Sequence, residues 1–395
     1  MTSPAKVFFT NMRTKHRYNL LDKFDLLLKK AGMDDIDFQN KFAAIKLHFG
    51  EPGNLAFVRP NYAARVVKKV NDLGGKPFLT DCNVMYWGKR GNAVDHLRSA
   101  FENGFNPLVT GANVIIADGL TGSEYAEVPV NLKHIQTAKV GAALFHSDVI
   151  ISLTHFKGHM STGFGGALKN IGMGGGSRQA KMEMHSTNKP QIDEEKCVEC
   201  GACIKYCPEE AIAYNERHKA QIDYDKCVGC GQCIVSCHYG AAHGSFEGSK
   251  VDLNEKIAEY TYAVLKDKTH FHISLIMNVS PGCDCFGYND QAIVQDIGMA
   301  ASFDPVSLDK ACVDLVNQAP KMPDTALNDQ WQENEDKFNH NIPMPTGRIA
   351  WLTRKASDWA LRNMNWLNLS RKKLRFYKSL STISQSSPNL EIPCG

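Results

Sequence analysis

The sequence predicts an α/β protein, a mostly parallel sheet with flanking helices, interrupted by a small cysteine-rich module. Three observations predict it. Apolar runs of strand length alternate with segments of helical period. Polar and metal-capable residues recur just after those runs, where open parallel sheets hold their ligands. Between residues 192 and 238 the alternation stops and two cysteine runs replace it.

In chain order, residues 42–47 read as a strand and 62–73 as an amphipathic helix that ends at Gly74 and Gly75. Residues 77–80 are a strand, 92–103 a helix and 114–117 a strand; 138–145 have a helical pattern leading into the strand 149–154. Beyond the cysteines, Asp252 caps a helix running to about residue 266. Residues 271–279 and 297–302 are further strands, and 305–317 a helix. Strands spaced by helices imply βαβ units and parallel pairing. Residues 1–187 and 248–320 then build one α/β domain, 188–247 an inserted module, and 321–395 a C-terminal extension.

The module carries the most specific signal. Cys197, Cys200, Cys203 and Cys207 follow C-x2-C-x2-C-x3-C, with Pro208 directly behind. Thirty residues on, Cys227, Cys230, Cys233 and Cys237 repeat the pattern, and the flanking Ile192-Asp193 returns as Ile222-Asp223. This duplicated unit has the spacing of a bacterial-type 2[4Fe–4S] ferredoxin, an α+β module. Three thiolates so close in sequence cap three corners of one cube only if the backbone wraps tightly, which Gly201, Ala202 and Gly231 permit. The fourth cysteine of each run crosses to the other cluster. One centre is therefore assigned Cys197, Cys200, Cys203 and Cys237, and the other Cys227, Cys230, Cys233 and Cys207. Four-cysteine zinc sites compete poorly, because they usually present two CxxC pairs far apart.

Bulk properties bound the rest. The chain has 395 residues, a net charge of +3 and thirteen cysteines. That balance gives no reason to expect nucleic acid. Residues 190–247 hold ten acidic and five basic side chains, whereas 347–395 hold nine basic and two acidic. Opposed fields of this kind steer a redox partner protein. No secretory signal and no apolar run long enough for a transmembrane helix is visible, so the cysteines point to a reducing, cytoplasmic setting. Trp351, Trp359 and Trp366 alternate with basic residues, a pattern compatible with peripheral membrane contact, although a loosely packed extension is the plainer reading.

A second site is expected where the strands end. Those ends deliver His48, Asp81, Cys82, Asp118, His155, Lys157, His159, Cys283, Cys285 and Asp304 to one edge. The segment 155–185 reads as a loop, rich in glycine and carrying Lys169, Arg178 and His185, suited to a small anionic ligand. The competing reading is that its glycines only allow close packing. No Walker loop or complete dinucleotide fingerprint occurs. If the site is catalytic, His155 and His159 supply protons while Lys169 holds the anion. Cys82, Cys283 and Cys285 are the ligands left for a third metal.

The run from His155 to Asn170, HFKGHMSTGFGGALKN, resembles that of the Fe–S centre proteins built on the domain of unknown function 362 with an inserted ferredoxin unit. The segments 48–51, 81–83, 91–96, 118–120 and 304–306 fit the same resemblance, which spans about residues 6–319. It implies an α/β domain holding a two-cluster module and does not imply a substrate. The function expected is electron transfer through two [4Fe–4S] clusters, to or from the strand-end site. A pure carrier and a metallocentre assembly factor are the alternatives.

Overall fold

The computed structural model describes residues 5–85, 88–159, 161–185, 190–207, 209–227, 233, 236–237, 239, 241–243, 250–327, 335–339 and 390–393. Its centre is an eight-stranded sheet. The strands are β1 (Lys6–Asn11), β2 (Phe42–Lys46), β3 (Lys76–Asp81), β4 (Val114–Ile116), β7 (Val149–His155), β14 (Thr269–Ile276), β15 (Gly298–Ser302) and β16 (Leu390–Pro393). In space they run β16-β1-β15-β14-β7-β2-β3-β4. The five from β14 to β4 pair in parallel. β15, β1 and β16 add on antiparallel at one edge. The fold is therefore mixed α/β around a mostly parallel sheet, with an antiparallel edge that the helix-spaced pattern did not announce.

Period-two burial explains why these segments become strands. Val149, Ile151 and Leu153 join Ala43, Ile45, Phe271 and Ile273 in the core on one face. Ile150 and Ala44 point to the opposite core. On the first face lie α1 (Leu20–Lys30) and α2 (Pro60–Asp72). α2 starts with Pro60 at its first turn and buries Tyr62, Ala63, Val66, Val67 and Val70. α3 (Ala93–Glu102) follows β3 in the chain. The second face is covered by α6 (Ala167–Gly175), α7 (Arg178–His185), α9 (Lys250–Leu265) and α10 (Pro305–Gln318).

Two expectations are corrected. Residues 138–145 are not one helix: β6 (Thr137–Gly141) pairs antiparallel with β5 (Tyr125–Pro129), and only α5 (Ala142–His146) is helical. Ala138 and Val140 turn inward while Thr137 and Lys139 stay half-buried, an alternation that a helix cannot give. The glycine-rich segment is likewise no loop. It forms the hairpin β8 (Lys157–His159) and β9 (Gly163–Gly165), then α6 and α7. Its glycines admit neighbouring chain: a Cβ on Gly172 would meet the Ile257 carbonyl of α9 at 2.2 Å, and one on Gly158 the Pro281 carbonyl at 2.2 Å. At these two positions the absence of a Cβ allows close packing.

The cysteine-rich segment contributes β10 (Gln191–Ile192), β11 (Ile212–Tyr214), β12 (Ala220–Ile222), β13 (Ala242–His243) and α8 (Ala202–Lys205). β10, which opens the first repeat, pairs with β13, which closes the second, and β11 pairs with β12. The repeats also exchange equivalent backbone bonds, Asp193 N–H to Ala241 and Asp223 N–H to Ala211, both at 2.8 Å. The tryptophan-rich basic region lies outside the described residues.

One tertiary cap fixes α6. Its N-cap, Gly166, has no side-chain oxygen, so Asp309 of α10 accepts from the Ala167 and Leu168 N–H groups at 2.7 and 2.9 Å. Both carboxyl oxygens face donors, and the helix N-terminus favours a negative group there. Asp309→Asn puts an NH2 against one of those N–H groups. It should lower unfolding stability at pH 8 by about 1–3 kcal/mol, read from the guanidinium midpoint. An unchanged midpoint would show that the cap contributes nothing.

Candidate functional site

The order β4-β3-β2 and then β7-β14 means that the chain reverses its winding between β2 and β7. Beyond the carboxyl ends of those two strands lies a cleft, as expected at a topological switch point. It offers about 50 Å³ of water-accessible space and is lined by Lys46, His48, Asp81, Thr154, Lys157 and Lys169, among others. That is room for a few waters or a small polar ligand.

Asn170 on α6 bridges the reversal. Its amide donates to the Lys46 carbonyl and to Thr154 Oγ1, both at 3.0 Å, and its oxygen accepts from Lys46 Nζ at 2.8 Å. Lys46 is buried at the end of β2 and pairs with Asp81, the last residue of β3, at 2.9 Å. Arg90 reaches Asp81 at 3.6 Å and Glu51 at 2.8 Å. Burial pushes the Asp81 carboxyl up, but Lys46, His96, His48 and Arg90 together hold it below the usual carboxylate range. Burial, with Arg90 next, keeps the His48 imidazole well below its ordinary value. Its Nδ1 accepts from the Gly50 N–H at 3.0 Å.

A second knot lies on the other side of the cleft. His155 Nδ1 is 2.8 Å from Asp284, while its Nε2 faces the Met277 and Asn278 carbonyls at 2.9 and 3.1 Å. Oxygen atoms thus face both ring nitrogens. The ring is held between Asp284 and these carbonyls at the end of β7. Lys157 bonds the His155 carbonyl and Asp284, each at 3.1 Å. Burial raises the Asp284 carboxyl, but His155, Lys157 and His48 hold it well below the normal range.

Asp284 separates Cys283 from Cys285, whose Cα atoms are 5.2 Å apart and whose sulfurs are joined as a disulfide. In place of the two free ligands expected for a third metal, the C-x-C pair closes on itself, which that separation allows. A ring nitrogen of His159 lies within 4.8 Å of both sulfurs. Burial, with Lys169 and Lys157, keeps His159 well below its ordinary value. Lys169 Nζ sits 3.8 Å from Cys283 Sγ. Among the described residues it has no carboxylate within ion-pairing distance, unlike Lys46 and Lys157.

Other expected members are not at the cleft. β15 runs antiparallel to β14, so Asp304 emerges at the opposite edge, where it caps α10 by accepting from the Val306 and Ser307 N–H groups. Asp118 accepts from Asn83 and Arg178 backbone N–H groups at 2.8 and 3.0 Å. Burial pushes its carboxyl up to about 6, with Lys181 and these donors opposing. Arg178 turns towards the Thr121 carbonyl at 3.5 Å. Half-buried His185 ends α7 outside the lining. Cys82 does line the cleft, but burial and Asp118 push its thiol well above normal and it donates to the Gly175 carbonyl. Lys46 and Arg90 were missed, although a lysine inside the apolar run 42–47 was an available signal.

The cysteine module forms a separate centre. Cys197, Cys200, Cys203 and Cys237 line one pocket together. Cys207, Cys227 and Cys233 belong to the adjoining small core, and Cys230 lies outside the described residues. A backbone N–H group donates to the last cysteine sulfur of each repeat: Ala211 to Cys207 at 3.3 Å, and Ala242, one residue further along its repeat, to Cys237 at 3.4 Å.

Fold and cleft define an α/β protein with a charged pocket at its sheet reversal. Residues 43–314 match the model of a domain of unknown function, DUF362, and the chain belongs to that family. It is 28% identical over 120 residues to the thylakoid-associated protein sll1697 of Synechocystis, covering 30% of this chain and 34% of that one. It is also 65% identical over 26 residues to the ketoisovalerate oxidoreductase subunit VorD of Pyrococcus furiosus, 7% of this chain and 25% of the subunit. The matched stretches thus span about a third and a quarter of those relatives. The lactate racemase apoprotein from Thermoanaerobacterium thermosaccharolyticum overlays with a TM-score of 0.39 at 12% identity, over 80% of this chain and 63% of its own. A Thermotoga maritima protein gives 0.41 at 12%, over 78% and 61%. Likenesses this loose carry no inference about chemistry. No helix among the described residues is long and apolar enough to cross a membrane.

Burial, with Lys157 next, pushes the Lys169 amine down to about 7. The unfolded chain holds that proton to about pH 10.4, so native stability attributable to Lys169 rises as pH climbs from about 7 to about 10. NMR titration of 13Cε-labelled lysines, with the resonance assigned by Lys169→Met, should find a midpoint near 7. A midpoint above about 9.5 would contradict the desolvated geometry.

Proposed function

We propose that this chain is an iron–sulfur electron-transfer protein whose inserted module, residues 188–247, holds two [4Fe–4S] clusters. The observation that carries it is the shared pocket of Cys197, Cys200, Cys203 and Cys237. Three of these come from one repeat and the fourth from the other, as crossed ligation requires. The donor set fits. Thiolate sulfur is the ligand iron–sulfur cubes take, and an N–H donor on sulfur is the kind of outer contact that tunes a potential. Cys227, Cys230, Cys233 and Cys207 would hold the second cluster. Such clusters supply one-electron transfer; the chain's own residues set access, hydrogen bonding and the surrounding field. The short, 65% identical match to an oxidoreductase subunit supports a redox reading.

The acidic module suits a redox partner protein with a basic face. In the α/β body, the cleft at the sheet reversal is the proposed second site for a small anionic ligand. Lys169 and Lys181 line it, and among the described residues neither has a carboxylate within ion-pairing distance.

Anaerobically purified protein should contain about eight iron and eight labile sulfide per chain. Cys203→Ser should lower both towards about four, because each cluster has its own ligand set. Zinc in place of iron would overturn the assignment.

A further inference from the structure

We propose that Cys283 and Cys285 form a redox-active dithiol–disulfide couple that opens on the cleft and exchanges with a thiol or disulfide partner. The inference does not depend on the iron–sulfur reading. It rests on how the C-x-C turn is held and on which groups meet its sulfurs.

The turn is pinned from three directions. Asp284 is clamped by His155 at 2.8 Å and Lys157 at 3.1 Å, and its carbonyl accepts from the Glu51 N–H at 3.0 Å. Ser280 accepts from the Gly158 N–H at 2.8 Å, and the Phe286 N–H closes back on Cys283 at 3.1 Å. The buried ion pairs fix the intervening residue and so hold the backbone of the turn, while the two sulfurs move apart when the bond between them breaks. Both cysteines line the cleft, Cys283 being buried and Cys285 half-exposed.

The two sulfurs have different surroundings, and this assigns their parts. Cys283 Sγ lies 3.8 Å from the Lys169 ammonium, a setting that stabilises a thiolate. Cys285 is the sulfur an outside group can reach. In reduction, a thiolate of a dithiol donor attacks Cys285 Sγ. The Cys283–Cys285 bond breaks, and Cys283 leaves as a thiolate beside Lys169. The donor's second thiolate then attacks the mixed disulfide, releasing Cys285 and leaving the donor as its own disulfide. Two electrons pass to the protein, and protonation of the released sulfurs completes the balance. Oxidation by a disulfide partner is the reverse.

A metal held by His159 and the two cysteines is the competing use of these atoms. The tautomer argues against it. His159 Nδ1 accepts from the Ser161 and Thr162 N–H groups at 3.1 and 3.2 Å. That nitrogen has no free lone pair for a metal. A histidine ligating through Nε2 would instead carry its hydrogen on Nδ1 and need an acceptor there. The neutral ring therefore keeps its hydrogen on Nε2. Lys169, a positioning residue in this account, supplies the charge that a metal would otherwise bring.

The test equilibrates the anaerobic holoprotein in dithiothreitol buffers of graded reduced-to-oxidised ratio. After acid quenching and alkylation with N-ethylmaleimide, the peptide carrying residues 283 and 285 is weighed. Both cysteines should become labelled together, with the reduced fraction ratio changing tenfold for each tenfold change in the buffer ratio, the signature of a two-electron couple. At pH 6.5, where the lysine is largely charged, Lys169→Met should slow reduction several-fold, whereas Lys169→Arg should restore it. Labelling that is complete in the most oxidising buffer, or absent in the most reducing one, would overturn the proposal. So would equimolar zinc in the reduced holoprotein that disappears in Cys283→Ser/Cys285→Ser, which would make the site a metal centre. An effect of Lys169→Met equal at pH 6.5 and 9 would remove the lysine from its assigned part.

Discussion

Charge buried at the carboxyl edge of the parallel strands constrains nearly everything else in the α/β body. An unpaired carboxylate or ammonium there would cost several kcal/mol, so each needs partners, and the partners come from distant parts of the chain. Asp81 ends β3 and is met by Lys46 from β2 and Arg90 from the segment before α3. Asp284 lies on the turn after β14 and is met by His155 and Lys157 from the end of β7. Asn170 joins the two halves by bonding the ends of β2 and β7 at once. Its position depends on α6, whose N-terminus Asp309 of α10 caps. The cleft is thus what remains between two compensated charge knots, and Lys169 and Lys181 line it with no ion-pair partner among the described residues.

This arrangement gives the proposed electron-transfer role a physical setting. The cysteine module follows α7 in sequence and the chain returns through α9, which packs on α6 and its glycines. Insertion at this point leaves the β7–β14 pairing undisturbed, since those strands flank the module in sequence and lie side by side in the sheet.

Much of the fold was legible in the sequence. β2, β3, β4, β7, β14 and β15 stood out as apolar runs between helical patterns, and 305–317 read as the helix that became α10. β1 and β16 escaped, because their partners in the sheet are remote in sequence. The site was legible as a list but not as a geometry. His48, Asp81, Cys82, Lys157, Lys169, Cys283 and Cys285 converge on the cleft, whereas Asp304 falls at the far edge because parallel and antiparallel strands look alike in isolation. Lys46 and Arg90 were hidden because a buried cation is recognised only with its carboxylate. The glycines of 158–176 illustrate the same limit: composition suggested a ligand loop, and only tertiary contacts show that they admit helix α9 and the Pro281 turn.

The most direct test of the central claim, two cubes held in crossed cysteine sets, is low-temperature electron paramagnetic resonance of the dithionite-reduced protein. Reduced clusters should give the broadened spectrum of two interacting spins. Cys237→Ser should perturb the centre held by Cys197, Cys200 and Cys203 and leave behind the simpler signal of the other cluster. A single isolated signal in the parent protein, or loss in Cys237→Ser of the centre held by Cys227, Cys230 and Cys233, would contradict it.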